Sequence, residues 1–307
     1  MPELSLVIVS WNVRDLLVDC LASVFRSTLD LEVIVVDAAS SDGSAEMVSE
    51  HFPEVRLIEP GYNTGFTKGN NLGIEQASGR LIGLLNPDTD VIDDALAALV
   101  AFLEERPEVG IVGPQLLNDD GSVQSSRRRF PTLLTGLFES TWLEPMAPRS
   151  VLRHYRVLDR EDDQLQPVDW VTGAALIARR ELFEEVGLLD EGFFMYSEEL
   201  DWQRRVKASG WEIWYEPQAQ IVHYGGKSSE QVVAQRDIYF HTSKIRYFSK
   251  YHGRLAGQLL RVFLLANYAW QIMIESVKGL LGHRRTLRAE RVSAYRQVLR
   301  SGLKVTS

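Results

Sequence analysis

The sequence predicts an α/β fold, with a mostly parallel central sheet and flanking helices, continued by a helical extension at its carboxyl end. Three observations predict it. Apolar runs of strand length alternate with amphipathic stretches of helix length. Several of those runs stop at polar or acidic residues, as strands do at the rim of a parallel sheet. The final stretch carries a long helical pattern followed by a basic tail.

In order, "LSLVIVSW" reads as a strand, "RDLLVDCLASVFRS" as an amphipathic helix, "LEVIVVDAAS" as a second strand and "AEMVSEHF" as a helix. "VRLIEP" is the third strand; a glycine-rich turn and the helix "GNNLGIEQAS" follow it. "LIGLL" is a fourth, covered on both faces, and the helix "ALAALVAFLEE" comes after it. Strands separated by helices of this length predict right-handed parallel crossovers. Residues 119–167 read as loops and short helices, and "VTGAALIARRELFEEVG" restores a strand and a helix. Two domains are expected, a catalytic domain over 1–228 and the helical extension over 229–307.

Composition narrows the function classes. The chain has 307 residues, 45% hydrophobic and 24% charged, enough for a full core. A single cysteine, Cys20, excludes an internal disulfide framework, and the start "MPELSLVIVSW" has no basic lead-in, which predicts a reducing, cytoplasmic setting. The net charge of −9 is uneven: from Lys278 onward eight basic residues face only Glu290, leaving +7 in the tail and −16 elsewhere. So acidic a body does not suit nucleic acid.

The strand "LIGLL" runs into Asn86, Pro87, Asp88 and Asp90. Two readings are open. The stretch is a turn with a helix cap, or the two carboxylates at a ligand rim share a cation. If the sheet is parallel, Ser10 and Asn12 after the first strand and Asp37 at the end of the second face the same rim. Asp37 would accept from a base N–H or a ribose hydroxyl. Gly65 and Gly69 would let the backbone approach a diphosphate, and Lys68 would add charge. Mg²⁺ or Mn²⁺ suits carboxylates plus substrate phosphate oxygens.

A second acidic cluster, Glu198, Glu199 and Asp201, precedes a helical stretch and follows the aromatics Phe193, Phe194 and Tyr196. Negative charge at a helix amino terminus explains part of it; a general base for an acceptor hydroxyl explains the rest. His223, just after a strand, is either structural or a third metal ligand. Arg127, Arg128 and Arg129 read as a solvated basic face or as a phosphate contact.

The motifs "LSLVIVSWN", "VIVVDAASSDGS", "NTGFTKGNNLGI", "LLNPDTDV", "VDWVTGAALIARRELFEEVGLLDEGFFMYSEELDWQRRVKASGWEIWYEP" and "HYGG" occur in this order. Together they resemble the inverting family-2 glycosyltransferases of GT-A fold, in particular a rhamnosyltransferase-like branch that builds cell-surface polysaccharides. The resemblance spans roughly residues 3–250. It implies that Asp88 and Asp90 form the DxD motif, Asp88 also holding the ribose, and that His223 joins them on a divalent cation. It implies Glu199 as the general base, with Asp201 in the same catalytic motif. It also implies nucleotide-sugar contacts at Asp37, Asn63, Gly65, Asn70 and Asn71, which join Ser10, Asn12 and Lys68. Trp170, Gly173 and Trp202 fall on the acceptor side, where a ring face suits a sugar. Three positions depart from the family's common pattern: Ala38, Thr67 and Trp202.

The implied reaction transfers a sugar, from dTDP-rhamnose or a UDP-sugar, to a hydroxyl of a saccharide or lipid-linked acceptor, with inversion. A non-catalytic nucleotide-sugar binder and a metal-dependent phosphohydrolase are the alternatives. In "RLAGQLLRVFLLANYAWQIMIESVK", Arg254, Gln258, Arg261, Gln271, Glu275 and Lys278 leave one polar stripe along a helix. That helix would pack on the catalytic domain or lie on the cytoplasmic face of a membrane, where the +7 tail would meet anionic lipid.

Overall fold

The computed structural model describes residues 1–226 and 231–305, so the domain boundary expected at 228 and 229 lies outside the described residues. The chain forms two compact units. The first comprises residues 1–130, 154–194 and 198–226, and the second residues 131–153, 195–197 and 231–305.

Eight main strands build the sheet of the first unit: β1 (Leu4–Ser10), β2 (Leu31–Asp37), β3 (Arg56–Ile58), β4 (Leu81–Leu85), β5 (Thr89–Val91), β6 (Val109–Leu117), β7 (Ala175–Arg179) and β8 (Glu212–His223). Their order across the sheet is β3-β2-β1-β4-β7-β6-β8-β5. Strands β3, β2, β1, β4, β6 and β8 run one way, whereas β7 and β5 run against them. The mostly parallel sheet expected from the alternation is therefore present, with one antiparallel strand inserted at its centre. Leu4, Leu6 and Ile8 alternate with Val7 along a wholly buried β1, because helices cover both faces.

On one face lie α1 (Arg14–Val24), α2 (Ser44–His51) and α4 (Ala95–Glu105), which bury Leu17, Leu21, Met47, Leu99 and Leu103 against the sheet. On the other lie α3 (Gly65–Gln76), α5 (Arg180–Glu185) and α6 (Glu198–Ala208), which bury Ile74, Leu182, Phe183, Trp202 and Val206. Helix α3 packs unusually close. A Cβ at Gly69 would stand 2.8 Å from Val9 Cγ1, and Gly73 abuts Val7 in the same way. These glycines bring a helix onto a strand.

The second unit is helical, built on α7 (Val233–His252), α8 (Arg254–Leu280) and α9 (Arg285–Ser301). Polar contacts join them inside: His241 Nε2 donates to the Tyr268 hydroxyl at 2.9 Å, and Arg288 donates to the buried Glu275 at 2.5 Å. Lys244, also buried, pairs with Glu139 at 3.0 Å just after the short helix Leu133–Phe138. Among the described residues no helix is long and apolar enough to cross a membrane.

Candidate functional site

In a parallel sheet the strand ends gather at one rim, and the registers place Ser10 opposite Asp37 there. Both side chains are buried. Ser10 Oγ and Asp37 Oδ1 have no hydrogen-bond partner among the described residues, while the other Asp37 oxygen accepts from the Ser40 amide at 2.9 Å. Buried polar atoms left open at a strand-end rim are groups a ligand would satisfy. Asn12 stands beside them in a left-handed conformation (φ 53°), and its Oδ1 accepts from the Ser41 amide at 2.7 Å, shaping the loop after β2.

The next strand end along the sheet is that of β4. Here Asp88 Oδ1 lies 3.4 Å from His223 Nε2, and the Asn86 side-chain amide donates to the same nitrogen at 3.2 Å. His223 Nδ1 lies 2.7 Å from Gln124 Oε1, which assigns the ring proton to Nδ1 and leaves a lone pair on Nε2. The Tyr224 amide donates to the Asp88 carbonyl at 2.9 Å, tying the two segments together. Asn86 Oδ1 is buried and has no partner among the described residues.

Asp90 does not join this group. It pairs with Val222 across β5 and β8, whereas His223 pairs with Thr89, so period-two alternation sends Asp90 and His223 to opposite faces. Asp90 instead forms an ion pair with Arg26 at 2.9 Å. Among the described residues no three His, Cys, Asp or Glu side chains gather closely enough to hold a metal ion. The third donor beside Asp88 and His223 is an amide, that of Asn86. A carboxylate, an imidazole and an amide are donor types that could hold a hard divalent cation with positions kept for phosphate oxygens, once the Asn86 amide, whose NH2 end faces His223, turns its oxygen toward them.

The acidic cluster stands at the start of α6, entered through Tyr196 and Ser197, both left-handed (φ 71° and 65°). Its three members have separate environments. Asp201 is fully buried and bonded to Arg205 Nε at 3.1 Å, one helical turn on, so it is held as an ion pair rather than offered to a substrate. Glu198 is 3% exposed; burial, reinforced by the adjacent Glu199 carboxylate, pushes its carboxyl well above the usual range. Glu199 is half-buried and packs on Gly173, whose added Cβ would stand 3.3 Å from Glu199 Cβ and Cγ. The next residue, Ala174, accepts from the Asn86 amide at 2.9 Å. Glu199 is therefore linked through two residues to the end of β4.

The glycine-rich segment is held by close contacts within the protein. Gly65 (φ +69°) faces the Phe194 carbonyl, which a Cβ would meet at 2.6 Å. That carbonyl accepts from the Phe66 amide at 3.0 Å, so the first turn of α3 is capped by the protein's own backbone rather than left for a diphosphate. Asn63 Oδ1 accepts from the Gly65 amide at 2.9 Å. Asn70 donates to the Phe66 carbonyl, and Asn71 binds Leu189 through both its amide atoms and reaches Glu191. Together these residues pin the loop that carries the acidic cluster to α3. Lys68 sits at the surface over the half-exposed Tyr62 ring, 5.3 Å from its centroid.

Two further expectations are corrected. Trp202 is fully buried, stacked on Phe183 with centroids 4.4 Å apart, and its indole N–H donates to the Gly187 carbonyl; no ring face is left for a sugar. Trp170 is 6% exposed with its N–H on the Arg129 carbonyl. The three arginines are tied to protein partners rather than forming one solvated face: Arg127 is buried on Asp162, Arg128 donates to Ser125 Oγ, and Arg129 forms a two-pronged pair with Asp159. Sequence reasoning missed Asn86 and Gln124. The signal for Asn86 was available, since it stands in the same turn two residues before Asp88.

Residues 5–203 match the profile described as Glycosyl transferase family 2. The chain is 29% identical over 235 residues to the N-acetylglucosaminyl-diphospho-decaprenol L-rhamnosyltransferase of Mycobacterium tuberculosis, covering 73% of this chain and 76% of that protein. It is 27% identical over 226 residues to the low-salt glycan biosynthesis hexosyltransferase Agl10 of Haloferax volcanii, covering 72% and 66%. Among solved structures, it is similar to the mannosyltransferase PcManGT of Pyrobaculum calidifontis, captured with GDP-Man and Mn²⁺. That likeness has a TM-score of 0.58 at 16% identity, over 100% of this chain and 88% of that one, and it shows a shared fold.

Proposed function

The chain belongs to glycosyl transferase family 2, and from that premise we propose that it moves a sugar from a nucleoside diphosphate to an acceptor hydroxyl, with inversion, in the synthesis of a cell-surface glycan. The observation that carries this reading is the link from Asn86 through Ala174 and Gly173 to Glu199. It sets a candidate base and a candidate diphosphate site on one strand end. Ser10 Oγ and Asp37 Oδ1, buried and open, would take the nucleoside.

Glu199 accepts the proton of the attacking hydroxyl as the oxygen closes on the anomeric carbon, and the bond to the diphosphate breaks on the opposite side. Burial and the adjacent Glu199 carboxylate push the Glu198 carboxyl upward, which disfavours a second charge beside the base. Asp88, His223 and Asn86 are the residues that would hold a divalent cation, and such a cation, when bound, supplies positive charge to the departing diphosphate. The GDP-mannose and Mn²⁺ held by the archaeal structure of the same fold are consistent with that donor set.

For the substrates, the mycobacterial relative's name supports a 6-deoxyhexose donor such as dTDP-rhamnose, with UDP-sugars as the next class, and a sugar-diphospho-lipid acceptor. The setting we propose is cytoplasmic, in keeping with the reduced, buried Cys20. The test incubates the protein with Mn²⁺, a panel of sugar nucleotides and an N-acetylglucosaminyl-diphospho-prenol. Acceptor-dependent release of nucleoside diphosphate is the expected result. Tight donor binding without release would make the chain a binder, and phosphate release independent of acceptor would make it a phosphohydrolase.

A further inference from the structure

The longest helix of the second unit wears its apolar side outward. Along α8, Leu255, Leu259, Val262, Met273, Val277 and Leu280 are 46–82% exposed. At about 100° per residue these positions fall within one stripe roughly 60° wide. The opposite side is turned into the unit and carries Asn267, Gln271 and Glu275, with Asn267 and Glu275 each at most 5% exposed. Of the polar stripe expected from the sequence, Gln271 and Glu275 turn inward, whereas Arg254, Gln258 and Lys278 are exposed. Arg288 holds Glu275, and the Trp142 amide donates to Asn267 Oδ1 at 3.2 Å, so this orientation is fixed by polar contacts that a rotated helix would lose.

Trp270 lies on the same stripe, 47% exposed, and its ring meets the 40% exposed ring of Trp142 at 6.2 Å between centroids. At the end of the helix Leu280 and Leu281 are more than 80% and about 80% exposed, and the exposed His283, Arg284 and Arg285 follow directly. Apolar side chains, an aromatic pair and a basic tip on one continuous element are what an anionic bilayer surface takes up. A second copy of the chain is the rival occupant. Pairing two such helices would set Arg254 against Arg284 and Arg285, or like against like, with no acid on the stripe or its edges: the only acidic residue of α8 is the buried Glu275.

We propose that α8 lies flat on an anionic membrane, its Leu255–Leu280 stripe in the interface and Arg284 and Arg285 on the lipid phosphates. The stripe is about 38 Å long at 1.5 Å per residue, so it is a side-on contact, and no described helix could cross instead. Vesicle binding needs neither donor nor acceptor, so it is measured independently of glycosyl transfer.

The experiment is co-sedimentation of the full chain with vesicles of mixed phosphatidylglycerol and phosphatidylcholine, and with phosphatidylcholine alone, at low and high salt. The expected result is binding to the anionic vesicles that weakens with salt and falls at least about tenfold in Leu259→Glu/Met273→Glu and in Arg284→Glu/Arg285→Glu. Circular dichroism and the thermal midpoint of both variants should match the parent, because every altered side chain is exposed. No sedimentation at low salt overturns the assignment, as does unchanged sedimentation of the Leu259→Glu/Met273→Glu variant. A wild-type dimer in solution that this variant makes monomeric, without vesicle binding, would give the stripe to a second copy and overturn it equally.

Discussion

Gly173 and Glu199 touch: a methyl group added at 173 would stand 3.3 Å from both Cβ and Cγ of the glutamate, and 3.6 Å from its carboxyl carbon. Such a contact is tighter than side chains normally keep, so Gly173 fixes where the candidate base can sit. Gly173→Ala should displace the carboxylate by a few tenths of an ångström and lower kcat by roughly tenfold, with donor affinity unchanged. Gly173→Val should lower it further. Equal kcat in wild type and Gly173→Val would mean that Glu199 is not the base or need not be held.

The three carboxylates of α6 should answer differently to isosteric amides. Glu199→Gln removes the proton acceptor and should cost about 10²- to 10⁴-fold in kcat. Glu198→Gln replaces a buried carboxyl whose burial favours the neutral form, so activity should change by less than about threefold. Asp201→Asn leaves Arg205 without its buried counterion and should act on stability, by roughly 3 kcal/mol, measured by chemical denaturation. A large rate loss in Glu198→Gln with none in Glu199→Gln would exchange their roles.

Much of this rim was readable in the sequence, and the reasons for the rest are physical. The alternation of apolar runs with helices gave parallel strands, and parallel strands bring Ser10, Asp37 and Asp88 to one edge whatever lies between them. Strand direction is not written in a period of two, so the antiparallel entry of β7 between β4 and β6, which carries Gly173 to the end of β4, was not readable. The face of Asp90 depends on pairing with Val222, 132 residues away. Gly65 and Gly69 looked the same as glycines that admit a phosphate, because close approach by Phe194 and Val9 demands the same missing side chain. The buried Trp202 and the inward Glu275 of α8 have one cause. Periodicity divides a helix into two faces and does not say which one the rest of the chain will cover.

The donor set of the proposed cation is testable without turnover. Titrating Mn²⁺ into the protein by electron paramagnetic resonance, in the presence of nucleoside diphosphate, should show weaker binding in Asp88→Ala and His223→Ala. Losses of about 10- to 100-fold are expected. Asn86→Ala should weaken it as well, since its buried Oδ1 has no partner among the described residues. Asp90→Ala, which breaks only the exposed pair with Arg26, should leave Mn²⁺ affinity within about twofold. If Asp90→Ala abolishes binding and Asn86→Ala does not, the cation sits on the other face of β5.

Stability in acid should depend on His241. Burial, with Lys244 nearby, pulls its pKa down to about 3. The Tyr268 hydroxyl donates to Asp237 at 3.1 Å, so it must accept from His241 Nε2, and the bare Nδ1 is buried with no partner among the described residues. The folded state therefore holds a neutral ring. An unfolded chain has an ordinary imidazole, with a pKa of about 6.5, and takes up a proton below that value which the folded protein refuses until about pH 3. The contribution of a neutral His241 is whole above pH 6.5 and is lost as the pH falls through that window, by roughly 1 kcal/mol per pH unit. Other groups titrate there too, so the measurement is a difference. His241→Gln should be less stable than wild type near neutrality, because it disturbs the Tyr268 contact, and the gap between the two in urea denaturation should narrow toward pH 4. A gap that stays constant from pH 7 to pH 4 would show that the histidine gains its proton equally in both states, and so that the pocket around it is open to water.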